Sequence, residues 1–177
     1  MTVELRPWAL EDAHALCAAF QQSPDLETQF GNADLATIDQ AGDYISSELT
    51  LTESRRNWAI TIDGVALGNV GLSAIDRRHR TAWMYYWLAS AARGRGYAVR
   101  ALATIATAAF EDDLFRLELG HRINNPASCK VATGAGFIAE GLERQKLLYG
   151  TERFDVETHA RLRTDPRPNL KMLPLSR

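Results

Sequence analysis

The segment best suited to chemistry is a glycine-rich loop, Arg93-Gly94-Arg95-Gly96-Tyr97-Ala98, between an apolar stretch and a helical one. Glycines let a backbone approach a ligand closely, and the free amide N–H groups at a helix start bind phosphate oxygens. The two arginines add positive charge that suits a pyrophosphate. A simple strand-to-helix turn would explain the glycines but not the flanking arginines. The loop therefore predicts a phosphate-binding site.

Two other phosphate-binding loops do not fit this segment. A dinucleotide-binding GxGxxG loop would need a third glycine where Val99 stands, and a P-loop would need a following Gly-Lys-Ser/Thr sequence. A nucleotide-binding oxidoreductase would also need repeated βαβ units, and only one strand–loop–helix–strand unit is visible. Both classes are therefore disfavoured.

Asn125 and Ser128 form a second group, at the start of a predicted helix. Asn is a favoured N-cap, and Pro126 suits the first helical position. Taken alone, Asn125 and Ser128 could be capping residues and nothing more.

The histidines and cysteines indicate no metal site. His14, His79, His121 and His159 are scattered, without the paired spacing typical of zinc ligands. Cys17 lies on the apolar face of a predicted helix, and Cys129 is expected to be a partly packed thiol. Two isolated cysteines fit a reducing, cytoplasmic setting.

The elements that must position these residues follow from hydrophobic periodicity. Asp63-Gly64 and Gly150-Thr151 predict hairpin turns, Thr37 predicts an N-cap, and residues 21–36, with Gly31-Asn32, predict a loop or broken helix. Strands are expected at 3–8, 58–62, 65–75, 82–89, 114–119, 143–149 and 152–162, and helices at 10–20, 38–49, 97–112 and from 126. The apolar run 82–89 predicts a strand buried on both faces. The order β-α-α-β-β-β-α-β-α-β-β predicts an α+β fold with a mixed central sheet flanked by helices.

Length and composition bound the function. The 177 residues, 46% hydrophobic with a net charge of -2, predict one globular domain and give no nucleic-acid footprint. The longest apolar run is far shorter than the roughly 20 residues of a membrane span. The first residues include an acidic side chain where a secretory signal peptide has basic ones. We expect a domain over 1–163, and a proline-bearing tail over 164–177 that is flexible or packs on a second copy in a homodimer.

Taken together, these motifs resemble the GNAT superfamily of N-acetyltransferases. Trp87-Leu88 followed by the loop from Arg93 to Ala98 is similar to the family's Q/R-x-x-G-x-G/A segment. Over about residues 3–162 the sequence resembles the RimJ/RimL-type branch, the ribosomal-protein-alanine N-acetyltransferases. The segments of this sequence that carry the resemblance are Leu5-Arg-Pro-Trp8 with Asp12, Arg116-Leu-Glu-Leu, Asn125-Pro-Ala-Ser128, Gly136-Phe137 and Glu140-Gly141.

The resemblance implies acetyl-CoA as co-substrate, with no metal. The residues implied to bind it are Trp87, Leu88, Arg93, Gly94, Arg95, Gly96, Tyr97, Ala98, Asn125 and Ser128. The loop amides would hold the pyrophosphate, the strand end would pair with the pantetheine arm, and Asn125 would hydrogen-bond that arm. Many members place a general-acid tyrosine where Ala132 stands here. The RimJ/RimL branch commonly uses the serine, which implies Ser128 as the catalytic residue.

The predicted function is transfer of an acetyl group to a primary amine, with a protein N-terminal α-amine as the acceptor. An α-amine, with a pKa of about 7.7–8.0, is partly neutral at pH 7, whereas lysine at about 10.4 needs a base. No residue must be that base; Glu118 is the nearest candidate by strand position, and a water relay stays open.

Two alternatives stay open for the function. Nine acids and no Lys or Arg lie between Arg6 and Arg55, a stretch that in the family fold borders the acceptor cleft. This charge would favour a small cationic amine, such as a polyamine or amino-sugar. A non-catalytic acyl-CoA sensor is the other alternative.

Overall fold

The computed structural model describes residues 1–31 and 33–176 and confirms the predicted α+β fold. The strands are β1 (Val3–Pro7), β2 (Arg56–Ile62), β3 (Val65–Asp76), β4 (Thr81–Leu88), β5 (Arg116–Arg122), β6 (Ile138–Tyr149) and β7 (Glu152–Leu162). The α-helices are α1 (Ala13–Gln22), α2 (Ile38–Ser47), α3 (Tyr97–Glu111) and α4 (Pro126–Gly134), and a 3-10 helix spans Pro24–Gln29. Asn32, which the sequence places in a loop, and Arg177 lie outside the described residues.

The strands form a single sheet in the order β1-β2-β3-β4-β5-β7-β6. Neighbouring strands are antiparallel except β4 and β5, which are parallel and pair only from Thr81 with Arg116 to Trp83 with Glu118. Beyond these pairs β4 and β5 diverge. The divergence leaves a wedge at their carboxyl ends, in the middle of the sheet, and this wedge positions the candidate site.

Local signals explain most element boundaries. Thr37 caps α2 as predicted: its hydroxyl accepts the Gln40 amide hydrogen at 3.2 Å, and the Gln40 side chain accepts the Thr37 amide hydrogen at 3.0 Å. Strand β6, however, begins at Ile138, five residues before the predicted start. Its first nine residues are all exposed and pair only with β7, so they lack the apolar alternation that reveals a half-buried strand.

Two apolar clusters pack on the two faces of the sheet. The apolar stripe of α3, from Ala98 to Ala109, is buried against one face. On the other face Trp8, Phe30 and Trp87 pack with α1 and α2. No helix in the described residues is long and apolar enough to cross a membrane.

Strand β4 is less buried than its composition predicts. Ala82 and Met84 are buried, but Trp83, Tyr85 and Tyr86 are only partly covered. The expectation of burial on both faces is wrong. Tyr85 and Tyr86 line a cavity beside the wedge, and Trp83 is only partly covered although it lies where β4 and β5 still pair.

The tail folds back onto the domain over residues 164–176. The Leu5 amide donates to the Pro174 carbonyl at 2.8 Å, and the Ser176 amide donates to the Leu5 carbonyl at 2.8 Å. Leu173 is buried in the main cluster, and its amide donates to Thr104 Oγ1 at 3.0 Å. The described tail therefore packs on the domain and satisfies unpaired backbone groups at the outer edge of β1. That it also packs on a second copy stays a prediction.

Candidate active site

The wedge between β4 and β5 adjoins a cleft of about 540 Å³. The walls of this donor cleft are the end of β4, the glycine-rich loop and the first turns of α3 and α4. The predicted residues that line it are Trp87, Leu88, Arg93, Gly94, Gly96, Tyr97, Ala98, Asn125 and Ser128. Arg95 is the one predicted donor-binding residue outside this lining. A further cavity of about 580 Å³, beside Trp58 and Ile105, contains none of the predicted residues.

The glycine-rich loop has the backbone conformation that its glycines predict. Gly94 and Gly96 have φ values of 76° and 74°, in the left-handed region that favours glycine. Gly96 is also the N-cap of α3. The amides in the first turn of a helix have no intrahelical acceptor and lie at the positive end of the helix dipole. Because Tyr97, Ala98 and Val99 line the donor cleft, this turn can hold an anionic group there.

Arg93 braces the loop and does not extend freely into the cleft. Its Nε donates to the Leu88 carbonyl at 2.9 Å, and its Nη2 lies 2.9 Å from Asp25 Oδ2. Asp25 also lines the cleft, so part of the arginine charge is already balanced. The sequence did not indicate this pairing, because Asp25, in the 3-10 helix, is far from Arg93 along the chain.

Asn125 is both the N-cap of α4 and a cleft residue. Its Oδ1 accepts the Ser128 amide hydrogen at 3.1 Å. The Asn125 side-chain amide group, by contrast, makes no hydrogen bond as a donor to any described residue. The capping role and the ligand-binding role are therefore compatible, because they use different atoms of the same side chain.

A smaller cavity of about 170 Å³ adjoins the donor cleft. The two share Gln29, Tyr86, Asn125 and Ser128. The remaining lining of this acceptor cavity is Met84, Tyr85, Leu119, Gly120, His121, Arg122, Leu147 and Tyr149. A long ligand in the donor cleft and a second molecule in the acceptor cavity would therefore meet at the shared residues.

Gly120 lines the acceptor cavity at a position that leaves no room for a side chain. A Cβ atom at this position would lie 2.8 Å from Val156 Cγ1 and 3.2 Å from Trp83 Cη2. Arg122, the one side chain of fixed charge in the described lining, stacks over the rings of Tyr149 and Phe154, 5.1 Å from each centroid. The cavity wall thus combines aromatic and aliphatic side chains with polar groups, and the polar groups contribute the larger share of its surface.

Tyr86 lies at the candidate site, although the sequence placed it only in the apolar strand 82–89. It lies on the face of β4 that carries Met84, and its buried hydroxyl makes no hydrogen bond of good geometry among the described residues. Burial raises the pKa of Tyr86 and the nearby Ser128 hydroxyl lowers it; the net pKa lies above its ordinary value. Tyr86 therefore stays protonated at neutral pH, beside Ser128. The alternation of side chains along β4 was the signal in the sequence that could have placed Tyr86 on this face.

The acidic candidates lie away from the junction of the cavities. Glu118 pairs with Arg116 at 2.7 Å where β4 and β5 still pair, and it lines neither cavity. The acidic residues between 11 and 53 are also absent from the described lining of the acceptor cavity. Three of them are paired with arginines, namely Asp12 with Arg6, Asp25 with Arg93 and Glu48 with Arg55.

Comparison with known sequences identifies the family. Residues 2–138 match the Acetyltransferase (GNAT) domain. The ribosomal-protein-serine acetyltransferase of Escherichia coli (strain K12) is 33% identical over 97 residues, covering 54% of this chain and 54% of that protein. A relative in Bacillus subtilis (strain 168) is 29% identical over 104 residues, covering 58% and 57%. The match spans about half the length of these curated relatives.

Solved structures agree in fold. The microcin C7 self-immunity acetyltransferase MccE, in complex with acetyl-CoA and AMP, superposes with a TM-score of 0.80 at 19% identity, covering 91% of this chain and 92% of that one. RimL, an L7/L12 alpha-N-protein acetyltransferase in complex with coenzyme A, gives 0.78 at 23% identity, covering 92% and 94%. Mycobacterium smegmatis RimJ, in complex with CoA-disulfide, gives 0.80 at 25% identity, covering 90% and 81%. These relatives support the RimJ/RimL-type branch, and the domain match, which spans most of the chain, shows that this protein belongs to the GNAT acetyltransferase family.

Proposed function

We propose that this protein transfers an acetyl group from acetyl-CoA to a protein N-terminal α-amine in a ternary complex. The observation that carries the proposal is the meeting of the donor cleft and the acceptor cavity at Asn125 and Ser128. The pyrophosphate would bind the first turn of α3, and the pantetheine arm would enter the wedge beside Trp87 and Leu88. The thioester would then lie beside Ser128, within reach of an amine in the acceptor cavity.

The chemistry needs one proton donor at this junction. The amine nitrogen attacks the thioester carbonyl carbon, the carbon–sulfur bond breaks, the amine loses a proton to solvent, and the departing thiolate gains one. Ser128 would donate its hydroxyl hydrogen to the departing thiolate and regain a proton from solvent. Tyr86, protonated and adjacent, would support the Ser128 hydroxyl as a second donor.

The acceptor cavity favours an α-amine over lysine or a polyamine. The described lining contains no carboxylate that could deprotonate or attract a strongly basic amine. An α-amine, with a pKa of about 7.7–8.0, is already partly neutral at pH 7, whereas a lysine amine at about 10.4 is not. Two similar proteins, a ribosomal-protein-serine acetyltransferase and an alpha-N-protein acetyltransferase, support the same acceptor class.

A panel of acceptors tests the proposal by thiol release from acetyl-CoA. The panel pairs short peptides with free N-termini against the same lysine-bearing peptides with blocked N-termini, and adds polyamines and aminoglycosides. We expect release with free N-termini only. Release with the small amines alone would support the small-amine alternative. Calorimetric acetyl-CoA binding without turnover would support a sensor, and absence of binding would contradict the donor site.

A further inference from the structure

Four side chains that commonly bind transition metals meet beside Ser128. They are His121 of β5, Cys129 of α4, and Glu157 and His159 of β7, and their ligand atoms all lie within 4.8 Å of one another. The β5–β7 register places His121 opposite Glu157 and Leu119 opposite His159, so these side chains share one face of the sheet. Helix α4 brings Cys129 to that face. The sequence alone hides the group because its members come from three elements.

The separations match those of ligands around one small cation. His121 Nε2 lies 3.0 Å from His159 Nε2, and Glu157 Oε2 lies 3.3 Å and 2.9 Å from these two nitrogens. Cys129 Sγ lies 3.7 Å from Glu157 Oε2. Tetrahedral zinc, with bonds of about 2.0–2.3 Å, holds its ligands about 3.3–3.8 Å apart. The whole group spans up to 4.8 Å, so binding would draw its outermost ligand atoms together by about 1 Å.

The hydrogen bond to the Arg122 carbonyl oxygen orients the His121 imidazole as a metal ligand requires. His121 Nδ1 lies 3.0 Å from the Arg122 carbonyl oxygen, so in the neutral ring Nδ1 carries the hydrogen and Nε2 presents a lone pair. This outer hydrogen bond is typical of metal-binding histidines. His159 is 1% exposed, and its Nδ1 has no partner among the described residues. His159 therefore contributes its buried Nε2 to the group without the outer hydrogen bond that His121 has.

We infer that His121, Cys129, Glu157 and His159 bind one transition-metal ion of the zinc class. Thiolate and imidazole ligands favour zinc over magnesium or calcium. One thiolate, one carboxylate and two neutral imidazoles together balance a divalent charge, so the loaded site would be neutral. With four protein ligands the site would be structural: it would join β5, β7 and the start of α4, and so would hold the backbone next to Ser128.

Cobalt titration of the full chain tests the site. Any affinity tag is removed, bound metal is stripped, and Co²⁺ is added while absorbance is recorded. We expect one equivalent to bind, with a thiolate-to-cobalt charge-transfer band and visible bands of tetrahedral Co²⁺, and we expect Zn²⁺ to displace it. Cys129→Ala should lose the charge-transfer band and weaken Co²⁺ binding by more than about 10- to 100-fold. Removal of a residue that only hydrogen-bonds to a metal ligand can already weaken metal binding by that factor.

Matched variants locate the binding. Cys17→Ala removes the other cysteine and His79→Ala an exposed histidine, and both should bind Co²⁺ like the parent protein. Glu157→Gln changes a side chain that is 36% exposed, and it serves as a second ligand variant if Cys129→Ala fails to fold. No stoichiometric binding, or a charge-transfer band that survives Cys129→Ala, would overturn the inference. Because the readout needs no acetyl transfer, failure of the metal site is distinguishable from failure of the proposed enzyme.

Discussion

Ser128 is the residue on which the proposed chemistry depends, because it lines both cavities and lies beside the Tyr86 hydroxyl. Ser128→Ala should lower kcat by about 10²-fold or more, the usual contribution of a positioned proton donor. The Kd for acetyl-CoA should stay nearly unchanged, since the amide of residue 128 still bonds the Asn125 cap. Steady-state kinetics and calorimetry measure the two quantities.

Thr133→Ala is the matched control for this prediction. Its hydroxyl donates to the Cys129 carbonyl at 2.9 Å on the same helix, and the residue lines neither cavity. We expect the control to keep parental kcat. A loss of only a few-fold in Ser128→Ala would make Ser128 a capping or packing residue and not a proton donor.

A second prediction at the residue scale concerns the ion pair of Arg6 and Asp12. Two parallel hydrogen bonds of 2.7 and 2.8 Å join them, and Asp12 is buried. Burial raises the pKa of Asp12, but the hydrogen bonds from Arg6 and from the Ala9 amide lower it, and the net pKa lies below its usual value. The native state therefore favours the charged carboxylate. Its stabilisation is present above the unfolded pKa of about 3.9 and is lost as pH falls through the lower native pKa.

Asp12→Asn should therefore reduce the free energy of unfolding by about 1–3 kcal/mol at neutral pH, and by less in strong acid. Urea denaturation at neutral pH and below the native pKa of Asp12 measures the difference. Asp43→Asn, at an exposed position of α2, should change the free energy by no more than about 0.5 kcal/mol. An equal effect of Asp12→Asn at both pH values would contradict the electrostatic origin of the stabilisation.

At the scale of elements, the start of α3 is the proposed binding site for the pyrophosphate of the donor. Gly96→Ala places a Cβ on a left-handed residue and should cost about 1–2 kcal/mol of stability. The first turn would shift to relieve this strain, so acetyl-CoA binding, measured by calorimetry, should weaken as well. Gly42→Ala in α2 is the control: its Cβ would have ordinary contact with Ala13 at 3.9 Å, and it should stabilise the helix by about 0.5–1 kcal/mol. Unchanged acetyl-CoA affinity in Gly96→Ala would show that this turn does not bind the donor.

Most elements could be predicted because their signals are local. The capping box at Thr37 and the left-handed turn at Gly64 depend on neighbours within a few residues, and both are present. The start of β6 could not be predicted, because an exposed edge strand needs no apolar alternation. The short parallel pairing of β4 with β5 could not be predicted either. The packing of α3 and α4 accommodates this pairing, and its short length opens the wedge.

At the scale of the whole molecule, the tail contributes to the core. Leu173 is 4% exposed in the main cluster, so Leu173→Ala should reduce the free energy of unfolding by about 2–5 kcal/mol. Leu142→Ala, at a residue that is 55% exposed on β6, should have little effect. Thermal and urea denaturation compare the variants. Equal stability of the two would mean that the tail does not pack as described.

The sequence by itself determined the local features: the left-handed glycines before α3, the Asn125 cap, the order of elements and the family that these motifs indicate. Each depends on residues close together along the chain, so spacing suffices. The tertiary structure alone decided that Tyr86 lies beside Ser128, that Asp25 pairs with Arg93, and that the tail packs on β1. It also brings the possible metal ligands from β5, α4 and β7 together. These contacts depend on strand register and on the packing of helices against the sheet, which hydrophobic periodicity does not specify.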